Sequence, residues 1–280
     1  MSRTQNQVFG RRSSWYRRPA CAAGMVVVVL GGSLAGCGGQ SAPTTAPSTA
    51  SRPATLPAPT TTGSTTPTTT GSTATTAPAG LGSYLPLFPF LTPKDVQDWQ
   101  QSYASGGQQP WHLDAGQTAL AFAAWLGYTE TNKVIGVRTD RTGAHVSVGF
   151  HVEGQSSEAT TSAIVHLVRW GTGSDSPWEI VGTDDTTFSL TSPAYGATIA
   201  SPVTVGGLIT GVDENIKVQV RSSSSTVGTY CCLPAGGETA PWSATVSLTA
   251  SSGTVLTIAA QTGGHVAEVE RFTVTGVRVH

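Results

Sequence analysis

Few side chains in this 280-residue chain have types and spacings suited to chemistry. Three histidines, His145, His151 and His166, fall in one strand-like region. Imidazoles on one sheet face can ligate a metal. His145 and His151, however, are six residues apart on one strand. At about 3.3 Å per residue they are roughly 20 Å apart and cannot share an ion. They read as exposed residues of a polar face, with His166 on the partner strand. Asp184-Asp185 could hold a cation or move protons, but a hairpin turn uses the same residues and is the simpler reading. In Trp111-His112-Leu113-Asp114 the aspartate reads as a helix cap rather than a partner for His112. Cys231 and Cys232 are adjacent. They read as two small apolar residues on a strand, one facing in and one out, with a bond between them as the alternative. No Cys/His cluster has zinc spacing. No G-x-S-x-G elbow, H-E-x-x-H, Walker loop or G-x-G-x-x-G occurs. The expectation is a chain that is not an enzyme and carries no cofactor or metal.

One further cysteine has a different setting. Arg3, Arg11, Arg12, Arg17 and Arg18 precede an apolar run from Ala22 to Leu34, with no acidic residue among them. A basic region, a short apolar region and small residues at its end form a secretory signal peptide. The run is too short and too glycine-rich to span a bilayer well. It ends in Leu34-Ala35-Gly36-Cys37. A leucine, two small residues and a cysteine resemble the bacterial lipobox. The resemblance implies that the Cys37 sulfur receives a diacylglyceryl group and that the chain is cut just before it. Several acyl chains anchor a protein stably where one does not. The expected location is the extracytoplasmic face of the cell membrane.

Removal of residues 1–36 takes five arginines with it. The remainder has ten basic residues against sixteen acidic ones, a net charge of −6. That balance argues against nucleic acid or an anionic membrane surface as partner. The membrane is met through the lipid, and cell-wall or envelope proteins are the candidate partners. The Ala, Gly, Thr and Val content, with Arg well above Lys, suggests a high-GC, actinobacterial genome.

Residues 37–82 are almost wholly Thr, Pro, Ser, Ala and Gly, with Arg52 as the single charge. Nothing there can bury a core, so the segment reads as a disordered or polyproline-like tether. It would reach about 130 Å if extended at about 3.1 Å per residue. Its Thr and Ser residues beside Pro also suit O-glycosylation.

Residues 83–190 read as an α+β domain. Thr92-Pro93-Lys94-Asp95 predicts a helix start, with Thr92 as cap and Pro93 in the first position. Asp114-Ala115-Gly116-Gln117 predicts a second, carrying Ala119, Phe122, Ala123 and Leu126 at helical spacing until Gly127. The period then changes to two, with strands predicted at Val134–Thr139, Val146–Val152, Ala163–Trp170 and Trp178–Val181. Two helices before an antiparallel meander suggest a cystatin-like or NTF2-like layer. A pocket between sheet and helices would be lined by Trp125, Tyr128, Phe150 and Trp170. Aromatic residues at such positions are more often plain core.

Residues 191–280 carry seven short strand signals separated by turn residues, including Asp213-Glu214-Asn215 and Gly236-Gly237, as a β-sandwich does. Ser192-Pro193, Gly196-Ala197, Ser201-Pro202-Val203-Thr204-Val205-Gly206-Gly207, Glu214-Asn215-Ile216 and Pro241-Trp242-Ser243-Ala244 resemble the bacterial spore-germination immunoglobulin-like domain family. The resemblance spans about Ser192 to Val279. It implies an immunoglobulin-like sandwich, a module that often follows a GerM domain in germination lipoproteins. The functional expectation is an envelope lipoprotein acting as a surface binding or structural module. A sporulation or germination lipoprotein is the alternative, and an enzyme or small-ligand binder using the α+β pocket is a further one.

Overall fold

The computed structural model describes residues 80–280 apart from 153 and 155–157, so the expected signal, Cys37 and most of the expected tether lie outside the described residues. Helix α1 (Pro93–Ala104) opens with the expected Thr92 cap, which the structure closes into a capping box. Thr92 Oγ1 accepts the Asp95 N–H, and the Asp95 carboxylate accepts the Thr92 N–H. Helix α2 (Ala115–Trp125) opens with the Asp114 carboxylate accepting the Gln117 N–H at 2.9 Å. A 3-10 turn at Pro110–Leu113 joins them. Among the described residues no helix is long and apolar enough to cross a membrane.

The first sheet holds β1 (Lys133–Asp140), β2 (Gly143–Phe150), β3 (Thr160–Arg169) and β4 (Trp178–Thr183). They pair antiparallel in the order β1-β2-β3-β4. Its alternation sorts side chains between two faces. Val146, Val148, Val165 and Leu167 meet Ala119, Phe122 and Ala123 of α2. Val168, Trp170 and Val181 point the other way, into a cluster with Val96 and Trp99 of α1. A stretch before α1 runs along β4. Leu87 N–H donates to Ile180 C=O and Ile180 N–H to Phe88 C=O. The Glu179 carboxylate, wholly buried, accepts the N–H groups of Phe88 (2.8 Å) and Phe90 (3.1 Å). Burial pushes this carboxyl well above its ordinary value, while the backbone donors pull it back.

The second sheet holds β5 (Thr198–Ile199), β6 (Val203–Arg221), β7 (Thr226–Val246), β8 (Val255–Thr262) and β9 (Arg271–Val279), in the order β5-β9-β8-β6-β7. Every pairing is antiparallel except that of β5 with β9. Two expected turns are not turns. Asp213-Glu214-Asn215 lies within β6 and Gly236-Gly237 within β7, where the register shifts between Ile209 and Gly211 and again between Gly211 and Glu214. A bulge consumes an extra residue without reversing the chain. It also changes which residues face inward. Val203, Val205 and Ile209 are buried before the shifts, and Ile216, Val218 and Val220 after them, all in one core with Trp242, Leu256, Ile258 and Val277. The sheet thereby curls around that core and nearly closes.

The two sheets share a wall. On β8 and β9, Leu256, Ile258, Ala260 and Val277 face the second core. Ala259, Phe272 and Val274 join the first, beside Val165, Leu167 and Ile180. Polar ties reinforce the join. Val274 N–H donates to Thr183 Oγ1 at 2.8 Å, and Gln219 Nε2 donates to Leu126 C=O and Tyr128 Oη at 2.9 and 3.0 Å. Phe188 and Leu190, placed before the expected domain boundary, belong to the second core.

Candidate functional site

The concave side of the β6–β7 bend carries an open cleft of about 1260 Å3. Its lining includes Thr210, Glu214, Asn215, Pro234, Glu238 and Trp242. The register shifts create it, because a strand that bulges also bends. Glu214 sits at the bend, with its side chain 10% exposed. Its Oε1 accepts from Arg271 Nη2 at 2.6 Å. Arg271 Nη1 donates to Thr210 C=O at 2.6 Å and Thr187 Oγ1 at 3.1 Å. The arginine is thus held on three sides and fixes the carboxylate in turn. A Cβ at Gly211 would stand 2.5 Å from Glu214 Oε1 and 2.7 Å from Arg271 Nη2. Glycine leaves the pair its room.

Glu214 Oε2 is buried and has no hydrogen-bond partner among the described residues. Leaving a buried acceptor unpaired costs about 1–3 kcal/mol, more when it is charged. Across the cleft, Glu238 adds a second, exposed carboxylate, and Trp242 gives an apolar wall. The Trp242 indole N–H is committed to Ser189 C=O at 3.2 Å, and the ring lies 5.6 Å from Phe188. The cleft therefore offers acceptors and negative charge beside an apolar surface. Glu214, Glu238 and Arg271 carry no site signal in the sequence. The turn-like string Asp213-Glu214-Asn215 hid the first, and nothing local links Glu214 to Arg271, 57 residues away.

His145 is not on an exposed polar face; it is 8% exposed. Asp184 is not in a hairpin turn either. Its N–H continues the β3–β4 ladder to Ile164 C=O, and its Oδ2 lies 2.7 Å from His145 Nδ1. His166, directly opposite on β3, stacks on His145 with ring centroids 4.5 Å apart. Thr142 Oγ1 lies 3.3 Å from His145 Nε2, which completes a hydroxyl–imidazole–carboxylate chain. The Thr142 hydroxyl, however, donates to Asp140 Oδ1 within its own turn, and Arg138 pairs with Asp140 and reaches Asp184 at 3.9 Å. The proton that a nucleophile must give up is already engaged, so the cluster ties the β1–β2 turn to the end of β4. His151 lies beyond β2 and is exposed. Asp185 is exposed beside the cluster. No group of three His, Cys, Asp or Glu among the described residues is placed to hold a metal.

Asp114 acts as the expected cap, and His112 packs among Phe90, Trp99 and Trp111, with its Nε2 3.2 Å from Gln109 Oε1. Burial lowers His112 from 6.5 to about 4. Of the four aromatics expected around one pocket, Trp125 and Tyr128 lie at the α2 core and the other two do not join them. Trp170 lies in the α1 cluster, on the opposite side of the sheet from Tyr128. Phe150 is buried at the far end of β2 and belongs to neither cluster. Trp125 is half-buried, with Arg221 over its ring at 4.4 Å and its Nε1 donating to Ser223 C=O. Trp170 follows β3 on the face opposite that of Val165 and Leu167, as alternation requires. Cys231 and Cys232 are joined to each other by a disulfide at a bulge of β7, where Ile216 pairs with Leu233 and Val218 with Tyr230. Comparison with models of known protein families, with curated proteins and with solved structures gives no match.

Proposed function

We propose that this chain is an envelope lipoprotein whose folded part is a binding module, not an enzyme. Cys37 carries the lipid, and the Thr/Pro-rich tether holds residues 83–280 off the membrane. The helix-on-meander layer is read as cystatin-like or NTF2-like, and the curled second sheet as an immunoglobulin-like sandwich. The acidic cleft at the β6–β7 bend supports a binding role, since it pairs a rigidly held, incompletely satisfied carboxylate with an apolar wall. Such a site favours an ammonium or guanidinium group on an apolar stem, as a lysine side chain of an envelope protein presents. Glu238, exposed on the cleft, supplies the direct attraction, and Glu214 beneath the surface adds an acceptor-rich floor.

Thermal unfolding with Nα-acetyl-lysine amide, and with Nα-acetyl-norleucine amide as the uncharged control, tests this. A ligand at about 100 times its Kd stabilises by about 2.7 kcal/mol. The lysine derivative should raise Tm and the norleucine derivative should not. Glu238→Gln and Glu214→Gln should each weaken the response. Equal stabilisation by both compounds, or a full response in both variants, would refute the assignment of the cleft.

A further inference from the structure

Strand β1 is the outer strand of the first sheet, and no strand among the described residues pairs with its free side. All eight of its residues are exposed. Among the exposed large apolar side chains of the described residues, Val134, Ile135 and Val137 share this one strand, at 39%, 40% and 55%. Edge strands are usually protected from pairing by charge, a bulge or a cover. β1 has Lys133 near one end, Asp140 at the other, and a bulge at Ile135. These same features make it complementary to itself.

The bulge sets the faces. Val134 pairs with Val148 and Val137 with Val146, and both partners point toward α2. Residues directly opposite in an antiparallel pair share a face. Val134, Val137 and Thr139 therefore lie on the α2 face, since Thr139 pairs with Ala144 of the same core. Lys133, Gly136, Arg138 and Asp140 lie on the other. Ile135 is the extra residue.

A second copy related by a two-fold axis perpendicular to the sheet must run antiparallel and keep the α2 faces on the same side. With Ile135 bulged out in both copies, seven residues remain, and their centre is Val137. The symmetric register puts Val137 against its own mate and Gly136 against the mate's Arg138. It also puts Val134 against the mate's Thr139 and Lys133 against the mate's Asp140. Each pair matches in face. The most exposed apolar side chain of the strand falls on the axis, glycine lies opposite the largest side chain, and opposite charges meet at both ends. Without the bulge Lys133 and Asp140 would fall on opposite faces and could not be paired by this symmetry. Shifting the axis to Thr139 pairs Arg138 with Asp140 but strands Val134 and leaves Lys133 unmatched.

We propose that β1 pairs with β1 of a second copy of this chain across such an axis, joining two four-stranded sheets into one of eight. The partner is a copy rather than another protein because the charge order and the bulge position fit their own reverse. The pairing covers Val134 and Val137 and removes the sheet edge. It is independent of the cleft and leaves it open in both copies.

Site-directed disulfide formation in the full chain, expressed and oxidised in its own membranes, reads the register directly. Val137→Cys should give a covalent dimer by itself, because the axis brings the two thiols together. Val134→Cys and Thr139→Cys, expressed together, should cross-link to each other, while either alone should give at least fivefold less dimer. Lys133→Asp in the Val137→Cys background should reduce the dimer. The proposal is overturned if Val137→Cys stays monomeric, if all positions cross-link equally, or if Val137→Cys forms adducts only with another protein.

Discussion

Replacing Glu179 tests whether the segment before α1 is held by one buried carboxylate. Its two oxygens accept the N–H groups of Phe88 and Phe90, and the side chain is wholly enclosed. Glu179→Ala leaves two backbone donors without partners in a place water does not reach. Each such donor costs about 1–3 kcal/mol, so the loss is about 2–6 kcal/mol. Removing a buried ionisable group returns part of this, and a net loss of about 2–4 kcal/mol is expected. For a folded part of this size that lowers Tm by roughly 5–15 °C. Glu179→Gln keeps one acceptor but turns an amide N–H toward the other donor, and should fall between wild type and Glu179→Ala. Burial raises the Glu179 carboxyl above 4.5. The protonated form is therefore favoured by folding. The associated stability is fully present below about pH 4.5 and is lost as pH rises through the folded value. Glu179→Gln should remove that part of the pH dependence. Urea melts at several pH values, with hydrogen exchange at the Phe88 and Phe90 amides, measure both effects. A loss under about 1 kcal/mol in Glu179→Ala, or unchanged protection of the two amides, would refute the role assigned to this carboxylate.

Two further outcomes are expected. Burial lowers His112 to about 4, so its neutral form is favoured by folding and stability should fall as pH drops from 6.5 toward 4. A shift of this size corresponds to about 3 kcal/mol, and His112→Phe should flatten the acid limb of a stability-against-pH curve; an unchanged limb would show that His112 does not set it. Cys37→Ala should abolish incorporation of a clickable fatty acid and leave unprocessed or released chain; strong label on the variant would rule out the lipid assignment.

Local chemistry was legible wherever neighbours in sequence are also neighbours in space. The Thr92 and Asp114 caps, both helices and the four strands of the first sheet were all readable, because a cap needs its partner within one turn and a strand needs only its period. The basic stretch, the apolar run, Leu34-Ala35-Gly36-Cys37 and the Thr/Pro-rich segment are read from sequence alone. Side-chain pairs across strands were not readable. His145 and Asp184, 39 residues apart, meet because Asp184 follows the last residues of β4 along β3. Glu214 and Arg271 meet because β6 bends and β9 lies within reach.

Bulges mark the sharper division. Asp213-Glu214-Asn215 and Gly236-Gly237 have turn chemistry, and a tight turn and a bulge both need residues that tolerate irregular backbone. Sequence determined that the strand would be interrupted there. The partner strand decided that the chain would continue, bend and open a cleft rather than reverse. The same holds for β8 and β9. Their residues specify strands, but burial of both faces follows from two cores forming on either side of them, and hydrophobic contact between residues far apart in the chain leaves no period by which to read it.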